Sequence, residues 1–468
     1  MSQFVKVFYN IDGRNTQLLI ILSCIVINII LLFLAFFTQN INVIMLAFIT
    51  IVFLDFSVYT LYKSIFMLNF GIVFNALWYL YTSGIFVKNI INQDGINMIT
   101  LYLTLLSIVS FIFFNLGYNF FSSSKLRVSD KKIDPFKIKI IVFLFFVLAI
   151  GVRLCIIYKI GFNEYLYVSR ATRNSILANM NYLVMFSDLI YLTNVITLDL
   201  LFKTKSKFFF ALFSTSFLFS LAMAVLEIDR SDFLKVILPV VFLLYYYKKI
   251  NFKKIVIVGF ILLLLFVNWK QFLNGIIFDN SMNRIAVTIP SELYTWHSIG
   301  NDVIRDLNDN KLNYLYGYTY YKALESIINP LFGNYESLST WYVKNYHYDV
   351  YKKGGGYAFS AIIEAYYNFH IVGIIIFFYL FGLIIKKLEL KVSVFTYRCL
   401  YALLLSVSYK LLRSEFYSIF KNAFWLWVVP LIVIYLFSKK NTIITRAFCK
   451  ISFFERSTDY SKHPIGKF

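Results

Sequence analysis

Runs of mostly apolar residues, each near the roughly 20 positions that carry a helix across a bilayer, alternate along this chain with short polar connections. They lie near Gln17 to Phe37, Asn42 to Tyr62, Ile65 to Phe86, Ile99 to Phe121, Lys139 to Tyr158 and Tyr182 to Phe202. Six more follow near Phe208 to Leu226, Phe233 to Tyr247, Ile255 to Phe272, Ala361 to Ile385, Val394 to Leu411 and Ala423 to Phe437. The pattern predicts an all-α polytopic membrane protein with about twelve transmembrane helices. One connection breaks the rhythm. Between the ninth and tenth spans lies a long polar segment, residues 274–356, in which stretches such as SELYTWHSIGNDVIRDL show helical spacing of apolar positions. Breaks at Asn308 to Asn310 and at Asn329 to Pro330 divide it into short helices, so it reads as a lid. The chain thus divides into residues 1–273 with helices one to nine, 274–356 as the lid, 357–438 with the last three helices, and 439–468 as a basic tail.

Composition sharpens this picture. Hydrophobic residues make up 60% of the 468 and charged residues 15%, with a mean hydropathy of +0.70, values outside those of soluble domains. A net charge of +21 suggests nucleic acid in a soluble protein. Here its placement gives another meaning, because the bases cluster in alternate loops: Lys125 to Lys139, Lys203 to Lys207, Lys248 to Lys254, Lys386 to Lys391, and from Lys439 onward. Basic loops stay in the cytoplasm, so both termini are expected inside and the lid outside, with no nucleic-acid partner. The first apolar run lacks a small-residue cleavage site and is expected to remain as a helix. None of Cys24, Cys155, Cys399 and Cys449 falls in the lid, so no disulfide framework is available there.

Candidate chemistry gathers where the lid meets the tenth span, KGGGYAFSAIIEAYYNFHIVGIIIFFYLFGLIIKK. Ser360, Glu364 and Asn368 recur every four residues and share one face of an otherwise apolar helix. A carboxylate at membrane depth must face protein or a wet cavity, which marks Glu364 as a functional candidate; the structural alternative is an ion pair with a nearby arginine that fastens two helices. A second set consists of bases that break the inside rule: Arg153, Lys159, Arg170, Arg173, Arg230, Lys235, Lys270, Lys410 and Arg413 map to outer loops or outer helix ends. Guanidinium groups bind phosphate oxygens through paired hydrogen bonds, so such a ring would hold a pyrophosphate. The competing account has them snorkelling, or pairing with Glu227, Asp229, Asp232 and Glu415. Lid aromatic residues such as Tyr318 can stack on sugars but more often pack as core. No Asp-x-Asp occurs in an outer segment, and a lone histidine such as His297 makes no metal site, so neither metal nor cofactor is expected.

The stretch GGGYAFSAIIEAYYNFHIVGIIIFFYLFGLI resembles the Gly-rich turn, glutamate helix and Asn-Phe pair of the O-antigen polymerase family, the Wzy-type oligosaccharide repeat-unit polymerases. LNYLYGYTYYKALESIINPLF is similar to the lid motif before it, with Gly317, Thr319 and Pro330 in place, and Arg170, Arg173 and Arg230 stand where similar proteins keep arginines. Two departures are His370, where glycine is expected after Asn-Phe, and LEIDRSD, which is more acidic than the usual approach to that arginine. The resemblance implies a GT-C-like glycosyltransferase that moves a growing glycan from an undecaprenyl pyrophosphate carrier onto another lipid-linked repeat unit, with a chain-length regulator as a further partner. It implies Glu364 as base and Arg230 as the group that stabilises the leaving pyrophosphate. Arg153, Arg170, Arg173, Arg284, Arg413, Glu292, Tyr318, Ser360 and Asn368 form the expected substrate-binding set, Glu292 being the second choice of base. The expected reaction is a single displacement with inversion and no metal. A lipid-linked oligosaccharide flippase is the first rival, although two similar halves are not visible in the chain. An O-antigen ligase is the second, for which His297 or His347 would serve as the lid histidine.

Overall fold

A computed structural model of the 468-residue chain describes residues 26–31, 40–64, 68–121, 134–162, 165, 185–226, 230–251, 254, 257, 259, 293–328, 336–352 and 356–438. Among these residues the helices long and apolar enough to cross a membrane number eight. The first is α1 (Ile41–Lys63), followed by α2 (Phe70–Asn92), α3 (Met98–Asn119) and α4 (Pro135–Ile160). Each starts at a polar cap that the sequence supplies. Asn40, Asn69, Asn97 and Asp134 accept a hydrogen bond from an N–H of the first turn, satisfying donors that a helix start leaves open. Next come α5 (Leu189–Thr204), α6 (Lys207–Leu226) and α7 (Arg230–Tyr246).

The lid contributes α8 (Thr295–Asn308), α9 (Tyr318–Ile328), α10 (Leu338–Tyr346) and α11 (Tyr348–Lys352). The chain then enters α12 (Ala361–Leu390), followed by α13 (Phe395–Ser406), α14 (Lys410–Arg413) and α15 (Phe416–Ala423), and a π-helical turn, Phe424–Val428, leads into α16 (Val429–Ser438). Of the expected spans, most of Gln17 to Phe37 and of Ile255 to Phe272 lies outside the described residues, Ile65 to Phe86 is displaced to Phe70–Asn92, and two near the end of the chain differ in form. The expected helix Val394 to Leu411 is broken by a turn at 407–409 into α13 and α14, whose helical residues together cover about 24 Å at 1.5 Å per residue. The last span begins at Phe416 rather than near Ala423, because the apolar side of FYSIFKNA packs inward although Lys421 lowers its hydropathy.

At the centre α12 packs along α3. Gly117 and Gly382 make this possible: a side chain on Gly117 would overlap the Tyr379 carbonyl, and one on Gly382 the Phe114 carbonyl, so the two backbones touch. At the basic end of α12, Glu389 receives Lys386 Nζ at 3.0 Å, Ser64 Oγ at 3.1 Å and Tyr401 Oη at 3.2 Å, with the Tyr118 hydroxyl as a fourth donor. Close by in the sequence, Arg398 grips Asp199 through Nε at 2.5 Å and Nη2 at 3.0 Å, joining α5 to α13. These buried charges are paired, as a low-dielectric interior demands.

Candidate functional site

The site is built on a break in α12. Phe369 (φ −141°, ψ 25°) and His370 (φ 58°, ψ −152°) leave helical geometry, and Gly373 lets the upper two turns fold back, since any side chain there would meet the Ala365 carbonyl. His370 thereby adopts a conformation that glycine favours, at the position where the resemblance expects glycine. A kink frees backbone carbonyls, and here the lid fills them. Leu315 N–H donates to the Tyr367 carbonyl at 3.0 Å and Tyr316 N–H to the Asn368 carbonyl at 3.1 Å. Gly317 has φ 87°, sits with its Cα against the Phe369 ring, and donates its N–H to Asn368 Oδ1 at 3.1 Å. Asn368 Nδ2 in turn reaches Thr319 Oγ1 at 2.8 Å and the Glu364 carbonyl at 2.8 Å. The two motifs that carry the family resemblance therefore lock onto each other through one amide.

Glu364, in the upper part of α12, is wholly buried. Its Oε2 accepts the N–H of Phe416, the first residue of α15, at 2.5 Å, so the carboxylate sits at the positive end of a helix. Thr319 stands beside it, and among the described residues the charges that act on it include Glu415 and no basic group. Its other oxygen, Oε1, is buried with no hydrogen-bond partner. The buried Tyr320 hydroxyl, equally without a partner, lies within electrostatic range of the same carboxylate, with its ring stacked on Phe377 at 5.7 Å. The fastening ion pair with arginine, the structural alternative for Glu364, is absent among the described residues. One unfilled acceptor and one unfilled hydroxyl thus lie buried within electrostatic range of each other, the first on α12 and the second on the lid helix α9.

Glu415 extends this arrangement. Its Oε2 accepts the Leu338 N–H at 2.5 Å at the start of α10, so one carboxylate joins α12 to α15 and the next joins α15 to the lid. Within the lid Tyr342 donates to Asp302 at 2.6 Å and Tyr346 to Asp306 at 2.5 Å, binding α10 to α8. Trp296 Nε1 donates to the Tyr81 carbonyl at 3.0 Å, which anchors α8 on α2. Beside it His297 is buried against the Trp296 ring with neither nitrogen bonded, and desolvation lowers its pKa to about 3, so the imidazole is neutral. His347 lies 3.4 Å from the Tyr342 hydroxyl.

The other sequence candidates are distributed as follows. Ser360 caps α12, accepting the Ile362 N–H at 3.2 Å, and Tyr318 faces outward at 49% exposure. Arg153 is buried in α4, and Tyr191 lies within electrostatic range of it and of Asp188, Asp232 and Lys235. Lys235 is paired there with Asp232 at 2.7 Å and Asp188 at 3.1 Å, so for this base the pairing account holds. Arg413 ends α14, half-buried, and Arg230 opens α7. Arg170, Arg173, Arg284 and Glu292 lie outside the described residues. Tyr320 and the capping role of Glu415 were missed. The first is one of several tyrosines in LNYLYGYTYY with nothing to single it out, and the second reads equally well as a counterion.

No curated protein and no solved structure matches the chain. The family model described as O-antigen polysaccharide polymerase Wzy matches residues 5–442, which takes in the kinked helix, the lid docked on it and all eight spans. By that match the chain belongs to the O-antigen polysaccharide polymerase Wzy family, and is a multi-pass inner-membrane protein that joins lipid-linked oligosaccharide repeat units by glycosyl transfer.

Proposed function

We propose that Glu364 is the general base of this transfer and that the space beside its free Oε1 receives the attacking sugar hydroxyl. The observation that carries the reading is the pair of buried, unfilled oxygens, Glu364 Oε1 and Tyr320 Oη, in a site without a neutralising base among the described residues. In the reaction the acceptor hydroxyl oxygen attacks the anomeric carbon of the glycan on its undecaprenyl carrier. The bond from that carbon to the pyrophosphate oxygen breaks, its electron pair leaves with pyrophosphate, and the hydroxyl proton passes to Glu364. One displacement inverts the anomeric centre. Arg230 stabilises the departing pyrophosphate, and Arg153, Arg170, Arg173, Arg284 and Arg413 hold the two carrier headgroups. Glu292 and Tyr318 contact the glycan, while Ser360 and Asn368 contribute by fixing the helix and the lid around it.

Because the carrier already activates the sugar, the step needs no metal, and polymerisation in membrane vesicles is expected to be unchanged by a chelator. Both termini lie in the cytoplasm, which a C-terminal reporter fusion tests, and a chain-length regulator sets the product's extent. The base assignment is tested by Glu364→Gln. Glutamine keeps an oxygen for the Phe416 N–H, so a purely structural role survives the change, whereas a base is lost. Polymer is expected to fall by roughly 10²- to 10⁴-fold, leaving single repeat units on a gel while the protein still inserts. Polymer of normal length in that variant removes the assignment.

A further inference from the structure

The lid helix α9 carries two faces of different character. Thr319, Ala323 and Ser326 are buried inward, and the opposite face presents Tyr318, Tyr321, Leu324 and Ile328 at 49%, 62%, 57% and 88% exposure, with Tyr316 just before it at 78%. The spacing of three, three and four residues makes one continuous apolar stripe on the outside. Its charges do not interrupt the stripe: Lys322 Nζ meets Glu325 Oε2 at 2.5 Å and lies over the Tyr318 and Tyr321 rings at 5.6 and 5.7 Å. The neighbouring helix α8 behaves as a water-covered lid should, with Arg305, Asn308 and Asp309 exposed. Water does not favour the α9 face.

The depth of α9 supplies the occupant. Tyr320 stacks on Phe369 at the kink and on Phe377, about two turns further down the crossing part of α12. At the other end of α9 the Ser326 carbonyl accepts Trp425 Nε1 at 3.3 Å, and Trp425 lies inside the span Phe416–Ser438. The helix is therefore strung between two membrane-crossing helices and touches each within its apolar stretch. Along the crossing part of α12 runs a second exposed row, Phe369, Val372, Ile376, Leu380 and Ile384, whose spacing and apolar character mark it as lipid-facing.

We propose that the outer face of α9 is buried among acyl chains of the bilayer's external leaflet, making this part of the lid an interfacial membrane helix. Tyrosines at the upper end and a lysine that lies along aromatic rings are the residues expected at such a boundary. Thr319, on the inner face of α9, is bonded to Asn368, one turn along α12 from Glu364.

Single cysteines at Leu324 and Ile328 (L324C, I328C), in a full-length chain whose own cysteines are replaced, carry a nitroxide label in phospholipid nanodiscs. Power saturation then compares access to oxygen with access to a water-soluble nickel chelate, with I376C as the lipid-facing reference and K311C as the aqueous one. Both α9 labels are expected to match I376C, reached by oxygen and shielded from nickel. A match to K311C overturns the proposal by placing the face in water. Shielding from both reagents overturns it too, by showing that protein covers the face. The measurement reports position only, so it stands or falls apart from the role of Glu364.

Discussion

One helix, α12, carries two wholly buried carboxylates, and they are treated differently. Glu389 at the basic end has Lys386, Ser64, Tyr401 and Tyr118 around it, so its charge is balanced and both oxygens are bonded. Glu364 at the lid end has a backbone N–H on one oxygen, none on the other, and a second carboxylate, Glu415, as its charged neighbour. Burying a charge is costly unless it is paired and fully bonded. The first arrangement holds helices together; the second leaves an acid incompletely satisfied, which is what the proposed role as base requires.

The contrast can be broken most forcefully at the satisfied end. Glu389→Ala leaves Lys386 buried without its partner and is expected to cost about 3–5 kcal/mol. Folded protein recovered from membranes should drop sharply, and the double variant with Lys386→Met should restore much of it. At the lid end the next effect comes from Gly373→Ala, where the added methyl meets the Ala365 carbonyl; about 1–3 kcal/mol of strain should open the kink and loosen the lid. Protease cleavage within the lid would report this, while unchanged protection would mean that α12 relaxes without it.

The lid itself offers a test by pH. The folded pKa of His297 is about 3, against about 6.5 when unfolded, so the unfolded chain gains a proton first as pH falls. The stability this group contributes is complete above pH 6.5 and is lost toward pH 3, amounting to about 2 kcal/mol at pH 5. His297→Leu should remove that part of the pH dependence of thermal unfolding; curves that stay parallel from pH 7 to 5 would mean the imidazole is not buried as described. The smallest effect is expected of His370→Gly, which relieves a left-handed φ and should stabilise by about 1 kcal/mol, read as a modest rise in melting temperature.

How much of this the sequence disclosed depends on the kind of feature. Apolar runs located α1, α3, α4 and α6 within a few positions, because bilayer thickness leaves little choice. The shared face of Ser360, Glu364 and Asn368 followed from helical spacing, and all three are buried together. What they do there was not legible. Ser360 and Asn368 are engaged in capping the helix and docking the lid, and the carbonyls that Leu315 and Tyr316 reach exist only because the helix breaks at His370. Periodicity also marked the lid as a set of short helices, but not that α9 lies against Phe377 and Trp425, a contact between segments far apart in the chain that no local pattern encodes.

The most direct test measures transfer in reconstituted membranes by Glu364→Gln and Glu389→Gln, each at equal amounts of folded protein, using a synthetic lipid-pyrophosphate-linked repeat unit. The Glu389 variant should retain the rate per folded molecule, and the Glu364 variant should lose at least about 100-fold of it. Equal rates in the two, or a loss confined to Glu389, would contradict the assignment of the reaction to the lid end of α12.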